Sequence, residues 1–169
     1  MIANDSRSVA VLGLGNPMRT DDGVGIYAIR QLSEDRRLPL GVQVIEGGTL
    51  GLELLHSLQG VTHLLVLDAV DTGSVPGTLS RFANSELDAV PIARSVHLLG
   101  LADLLGSMKL LGDAPDEVVL LGIQPESTDW GVALSPRVHG ALDQLSKSAV
   151  TQLQVWMSSL PSFSAQEAS

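Results

Sequence analysis

The sequence predicts an α/β fold: a three-layer α/β/α sandwich whose mostly parallel, twisted sheet of about five strands is flanked by helices. Three observations predict it. Short apolar runs that close on glycine or an acidic residue alternate with segments whose leucines recur at helical spacing. The 169 residues suffice for one domain, 1–169, with a sizeable core. That core must be aliphatic, because 44% of the residues are hydrophobic and only 3% aromatic.

The elements follow in order. Val9-Ala10-Val11-Leu12, closed by Gly13 and Gly15, reads as a buried strand. A helix is expected from about Asp22 to Arg37. Val42 to Ile45 reads as a second strand, and Leu50, Leu54, Leu55 and Leu58 repeat as a helix would. Thr62 to Asp68, rich in Leu and Val, is a third strand. Gly73 and Pro76-Gly77 mark a turn before a fourth strand, Thr78 to Ala83. Leu98, Leu101, Ala102, Leu105 and Met108 stripe another helix. Glu117 to Gln124 is a fifth strand, and Val138, Leu142, Leu145, Ala149, Leu153 and Trp156 stripe a long last helix. The serines and Pro161 of segment 158–169 suggest a loosely ordered tail.

Composition excludes several functions. Zero cysteines remove a thiol nucleophile, an iron–sulfur cluster and any disulfide framework. Ten Lys+Arg against 19 Asp+Glu, a net charge of −9, argue against a nucleic-acid surface. The apolar runs, such as Leu64–Leu67 and Val118–Ile123, are too short to span a bilayer. The N-terminus has no basic region followed by an apolar one, so no signal peptide is read there. The expectation is a cytoplasmic monomer with no membrane or nucleic-acid partner.

In an open, mostly parallel sheet, ligands bind beyond the carboxyl ends of the strands. There this chain places Asp21 and Asp22, Glu46, Asp68 and Asp71, and Glu126. One of the paired aspartates is expected to cap the next helix, leaving the other to project into the crevice. His97 stands near a helix start, where the local potential favours a neutral imidazole. Two carboxylates and that imidazole, reached from separate elements, make a site for a divalent ion such as zinc, nickel or manganese. His56 and His139 read as solvated, and His63 starts its strand at the wrong edge. Gly13-Leu14-Gly15 invites a dinucleotide reading, but the third glycine of that fingerprint is missing and aspartates would face the pyrophosphate.

Five motifs occur in order: Val11-Leu12-Gly13-Leu14-Gly15-Asn16 with Asp21-Asp22-Gly23-Val24-Gly25; Glu46-Gly47-Gly48-Thr49-Leu50-Gly51; Leu67-Asp68-Ala69-Val70 with Pro76-Gly77-Thr78; Ser95-Val96-His97 with Gly100 to Leu105; and Gly122-Ile123-Gln124-Pro125-Glu126. Together they resemble the signatures of the [NiFe]-hydrogenase maturation endopeptidases, proteases that process the C-terminus of the hydrogenase large subunit. The resemblance runs from about Val9 into the last helix. It implies that Asp22, Asp68 and His97 contact metal and carry catalysis, with Asn16, Glu46 and Glu126 in supporting or substrate-facing positions. The family often has glutamate where Asp22 stands and aspartate where Glu46 stands. The implied reaction is a single peptide-bond cleavage in a nickel-loaded large-subunit precursor. Nickel would arrive with the substrate, and no organic cofactor is expected. Two mechanisms stay open: an ion that polarises the carbonyl or activates water, or an aspartate acting as general base. Two rival readings accompany this one. Gly13-Leu14-Gly15-Asn16-Pro17 is similar to the opening of peptidyl-tRNA hydrolases, although no histidine follows in Arg19 to Asp22. A noncatalytic metal- or partner-binding module of the same fold would keep the same three residues.

Overall fold

The computed structural model describes residues 8–89 and 96–159. The expected tail beyond residue 159, the N-terminal stretch read for a signal peptide and Ser95 of the fourth motif lie outside the described residues. The strands are β1 (Ser8–Leu14), β2 (Gln43–Gly48), β3 (Val61–Ala69), β4 (Leu79–Ala83) and β5 (Glu117–Ile123). The helices are α1 (Val24–Ser33), α2 (Val96–Leu110) and α3 (Pro136–Ser159). The sheet order is β2-β1-β3-β5-β4. The first four strands in that order pair in parallel, and β4 runs antiparallel at the edge beside β5.

Strand alternation sorts the core into two layers. Val9 and Val11 of β1 and Leu65 and Leu67 of β3 face α1 and α3. Ala10 and Leu12, with Leu64 and Val66, face α2 and the segment around Leu54 and Leu58. Helices therefore cover both faces, as the sequence predicts. Glycines let α1 lie close: a Cβ on Gly25 would overlap the Leu14 and Leu67 carbonyl oxygens.

Four expectations change. The first helix starts later and ends earlier than expected, because Thr20–Gly23 forms a 3-10 turn and the chain leaves the helix after Ser33. The helix expected around Leu50 to Leu58 is a 3-10 turn, Leu52–Leu54, followed by turns up to Gly60. Gly51 and Gly60 bound a stretch too short to sustain helix nucleation. Leu54 and Leu58 are nonetheless buried, while Leu50 is exposed. On α2, the buried stripe runs through Leu98, Leu101, Leu104 and Met108, with Ala102 outside it. Ser158 and Ser159, placed in the tail by sequence, close α3.

Candidate active site

β1 connects through α1 to β2 on one side of it, whereas the chain leaving β3 connects through β4 and α2 to β5 on the other side, so the direction of winding reverses between β1 and β3. That reversal opens a crevice at the carboxyl ends of β1 and β3. Asp22 comes from the loop after β1, Asp68 from the end of β3 and His97 from the first turn of α2. Asp68 shares the strand parity of Leu64 and Val66, which places it on the α2 side of the sheet.

The imidazole stands between the carboxylates. His97 Nε2 lies 3.5 Å from Asp22 Oδ2, and Nδ1 lies 3.4 Å from Asp68 Oδ1. Side-chain exposure is 18% for Asp22, 9% for His97 and 0% for Asp68, so Asp22 is the carboxylate that solvent reaches. Both contacts exceed the 2.7–2.9 Å of a tight charge-assisted bond, and Nδ1 lacks a well-placed hydrogen-bond partner. The three side chains thus form a loose carboxylate–imidazole–carboxylate chain. Among the described residues, no group of three or more His, Asp or Glu side chains is arranged to enclose a metal ion.

Burial, the largest single influence, pushes the His97 pKa down. The close Asp68 carboxylate against Nδ1 and the charge of Asp22 push it up, Arg19 opposes them, and the net shift is upward. The preference for a neutral imidazole expected from the helix start is outweighed by the two carboxylates.

The cavity at this point has a volume of about 200 Å³ and is lined by Asn16, Arg19, Asp22, Thr49, Leu50, His97 and Gly100. It is smaller than typical small-molecule pockets of about 300–1,000 Å³. Asn16 donates its backbone N–H to Asp22 Oδ2 at 3.0 Å, and its own side-chain oxygen accepts from the Met18 N–H. Gly15, at φ +123, lets β1 turn into this loop, where a Cβ would overlap the Asp22 carbonyl oxygen.

The paired aspartates divide their labour, in a manner only half anticipated. Asp21 is fully buried and caps no helix. It accepts from the backbone N–H groups of Glu126 (2.8 Å), Ser127 (3.1 Å) and Ser135 (2.7 Å), and from the Ser135 hydroxyl (2.8 Å). It thereby clamps the loop after β5 to the loop after β1. Asp22 projects into the crevice.

The other sequence candidates are placed apart. Glu46 is exposed and bonded to Arg30 on α1 at 2.7 and 3.1 Å, and it does not line the cavity. Glu126 is exposed, and its backbone N–H serves the Asp21 clamp. His56 and His139 are exposed, as expected. His63 is buried against the edge of Trp156, with ring centroids 5.3 Å apart. Two residues that sequence reasoning passed over also matter. Gln124 directly follows β5 and accepts from the Thr72 and Ser74 N–H groups, fixing the turn after β3. Arg19 is the cation that lines the cavity, a signal present in the scarcity of Lys and Arg.

Comparisons with known proteins agree with one another. The family model HycI, described as hydrogenase maturation protease, matches residues 26–152. The chain is 38% identical over 151 residues to the hydrogenase expression/formation protein HupD of Rhodobacter capsulatus, covering 88% of this chain and 72% of that one. It is 32% identical over 148 residues to the hydrogenase 2 maturation protease of Escherichia coli K12, covering 86% and 90%. The solved structure of the hydrogenase maturating endopeptidase HybD from E. coli superposes with a TM-score of 0.82 at 31% identity, covering 88% of this chain and 93% of that one. HybD from Thermococcus kodakarensis, a [NiFe] hydrogenase maturation protease, gives 0.74 at 30%, covering 86% and 99%. On this agreement of family model, relatives and fold, the chain belongs to the hydrogenase maturation proteases and is a peptidase.

Proposed function

We propose that this protein removes the C-terminal extension of a nickel-loaded [NiFe]-hydrogenase large-subunit precursor. The observation that carries this reading is the meeting of Asp22 and His97 at the wall of a small crevice beyond the carboxyl ends of β1 and β3, with Asp68 behind the imidazole. Asp22 and His97 are the side chains that would meet nickel belonging to the substrate, and Asp68 supports them from behind. Two hard carboxylates and one imidazole, with no thiolate in the chain, make a sparse set suited to touching such an ion rather than keeping it. An upward-shifted imidazole must lose its proton to accept a metal, so nickel contact and proton release are coupled.

The burial pattern divides the chemistry. Asp68, without exposure, holds the Nδ1 side of the imidazole. Asp22 is the carboxylate that meets the cavity, and it takes the proton of the attacking water. Water oxygen adds to the scissile carbonyl carbon, the C–N bond breaks, and the proton passes to the departing amine. Nickel holds the substrate in register, so the bond lies beside Asp22. The chain has no cysteine, so no thiol-linked acyl-enzyme is invoked.

The test is processing of the nickel-loaded precursor by Asp22→Asn and His97→Ala, followed by intact-mass measurement. Both variants are expected to stay folded and leave the precursor at full length. A folded variant of either kind that processes at the normal rate removes that residue from the site.

A further inference from the structure

Arg19 takes no part in the cleavage step, yet several interactions hold it at the cavity wall. Its Nε donates to the Thr128 carbonyl at 2.9 Å, and its guanidinium lies 5.9 Å from the centroid of the Trp130 ring. Its backbone pairs with Gly131. The next residue, Thr20, is β-branched yet sits at φ 36, a left-handed conformation that needs support from its surroundings. That support comes from the same loop: the Thr20 N–H donates to the Gly131 carbonyl at 2.8 Å and the Thr20 hydroxyl to the Ser127 carbonyl at 2.6 Å.

An arginine fixed through Nε and a ring face keeps its two Nη groups for another acceptor. Among the described residues, Arg19 is in no ion pair within 4 Å, so neutralising Asp22 is not its task. The cavity already presents Asp22, with Asp68 behind His97, which disfavours an anionic ligand group. A neutral oxygen with a strong dipole fits better.

We propose that Arg19 anchors the substrate, its Nη groups donating to a main-chain carbonyl oxygen of the segment beside the scissile bond, while Trp130 positions the guanidinium. This rests on the cleavage reading above. The contact forms when substrate binds and persists through reaction, so its loss raises KM and spares kcat.

The test is steady-state processing of nickel-loaded precursor by wild type, Arg19→Met, Arg19→Lys and Trp130→Leu, with folding checked by circular dichroism. Arg19→Met is expected to raise KM about 10- to 100-fold, the range of a lost charge-assisted hydrogen bond, with kcat within about threefold. Arg19→Lys recovers part of the loss, and Trp130→Leu gives a smaller rise in KM. If Arg19→Met does not fold, the KM of the Lys and Trp130 variants decides. Unaltered KM in the folded variants, or a loss confined to kcat, overturns the anchoring alone. A wild-type protein that leaves the precursor uncut overturns the cleavage reading beneath it, and the anchoring with it.

Discussion

Asp21 and Asp22 are neighbours with the same side chain and opposite tasks, and replacing each with alanine separates them. Asp21→Ala removes the acceptor of three backbone N–H groups and one hydroxyl in a site that solvent does not reach. Each orphaned buried donor costs about 1–3 kcal/mol, and the Ser135 hydroxyl is free to turn elsewhere. Water entering the truncated site offsets part of this, so a loss of about 3–5 kcal/mol is expected. For a chain of this size, each kcal/mol moves the melting midpoint by about 2–4 °C, which gives a fall of roughly 6–20 °C. Asp22→Ala frees one partly buried N–H, that of Asn16, and costs about 1 kcal/mol. Thermal melts by circular dichroism in one buffer decide the matter. An Asp21→Ala protein that melts within about 2 °C of wild type, or above Asp22→Ala, would refute the clamp.

Three further outcomes are expected. Gly25→Ala drives a methyl group into the Leu14 and Leu67 carbonyls and pushes α1 off the sheet. It should lower stability by at least about 3 kcal/mol in urea titration, whereas a variant near wild type would show that the helix shifts freely. The raised pKa of His97 makes its ionised form stabilising in the fold. The advantage of wild type over His97→Gln should therefore be fullest below the ordinary histidine value of 6.5 and fade as pH rises through the folded-state pKa. Urea midpoints at several pH values above 5.5 check this, and an advantage that grows with pH contradicts it. Loosening the loop after β5 by Asp21→Asn should also raise the KM for precursor, because Thr128 and Trp130 on that loop hold Arg19; unchanged KM in a folded Asp21→Asn protein contradicts this coupling.

Much of this architecture was legible in the residues. Apolar runs of the β1 and β3 kind have one use in a chain this size, and the parity that places Asp68 beside α2 follows from strand alternation. That placed Asp68 and Asp22 at neighbouring strand ends. The short helix expected around Leu54 failed because apolar spacing reports burial and not nucleation: Leu54 and Leu58 are buried without forming a regular helix. The roles of Asp21 and Arg19 were hidden because their partners, Ser127, Ser135, Thr128 and Trp130, lie more than a hundred residues away in the chain. Glu46 illustrates the converse, since a carboxylate at a strand end belongs to the crevice only if its face agrees, and this one turns to Arg30.

On the proposed function, the crevice reads a metal carried by the substrate. The decisive experiment mixes the protein with two forms of one large-subunit precursor, nickel-loaded and nickel-free, and measures intact mass. The loaded form is expected to be shortened by a single C-terminal peptide while the nickel-free form keeps its full mass. Equal shortening of both, or of neither, would contradict this reading.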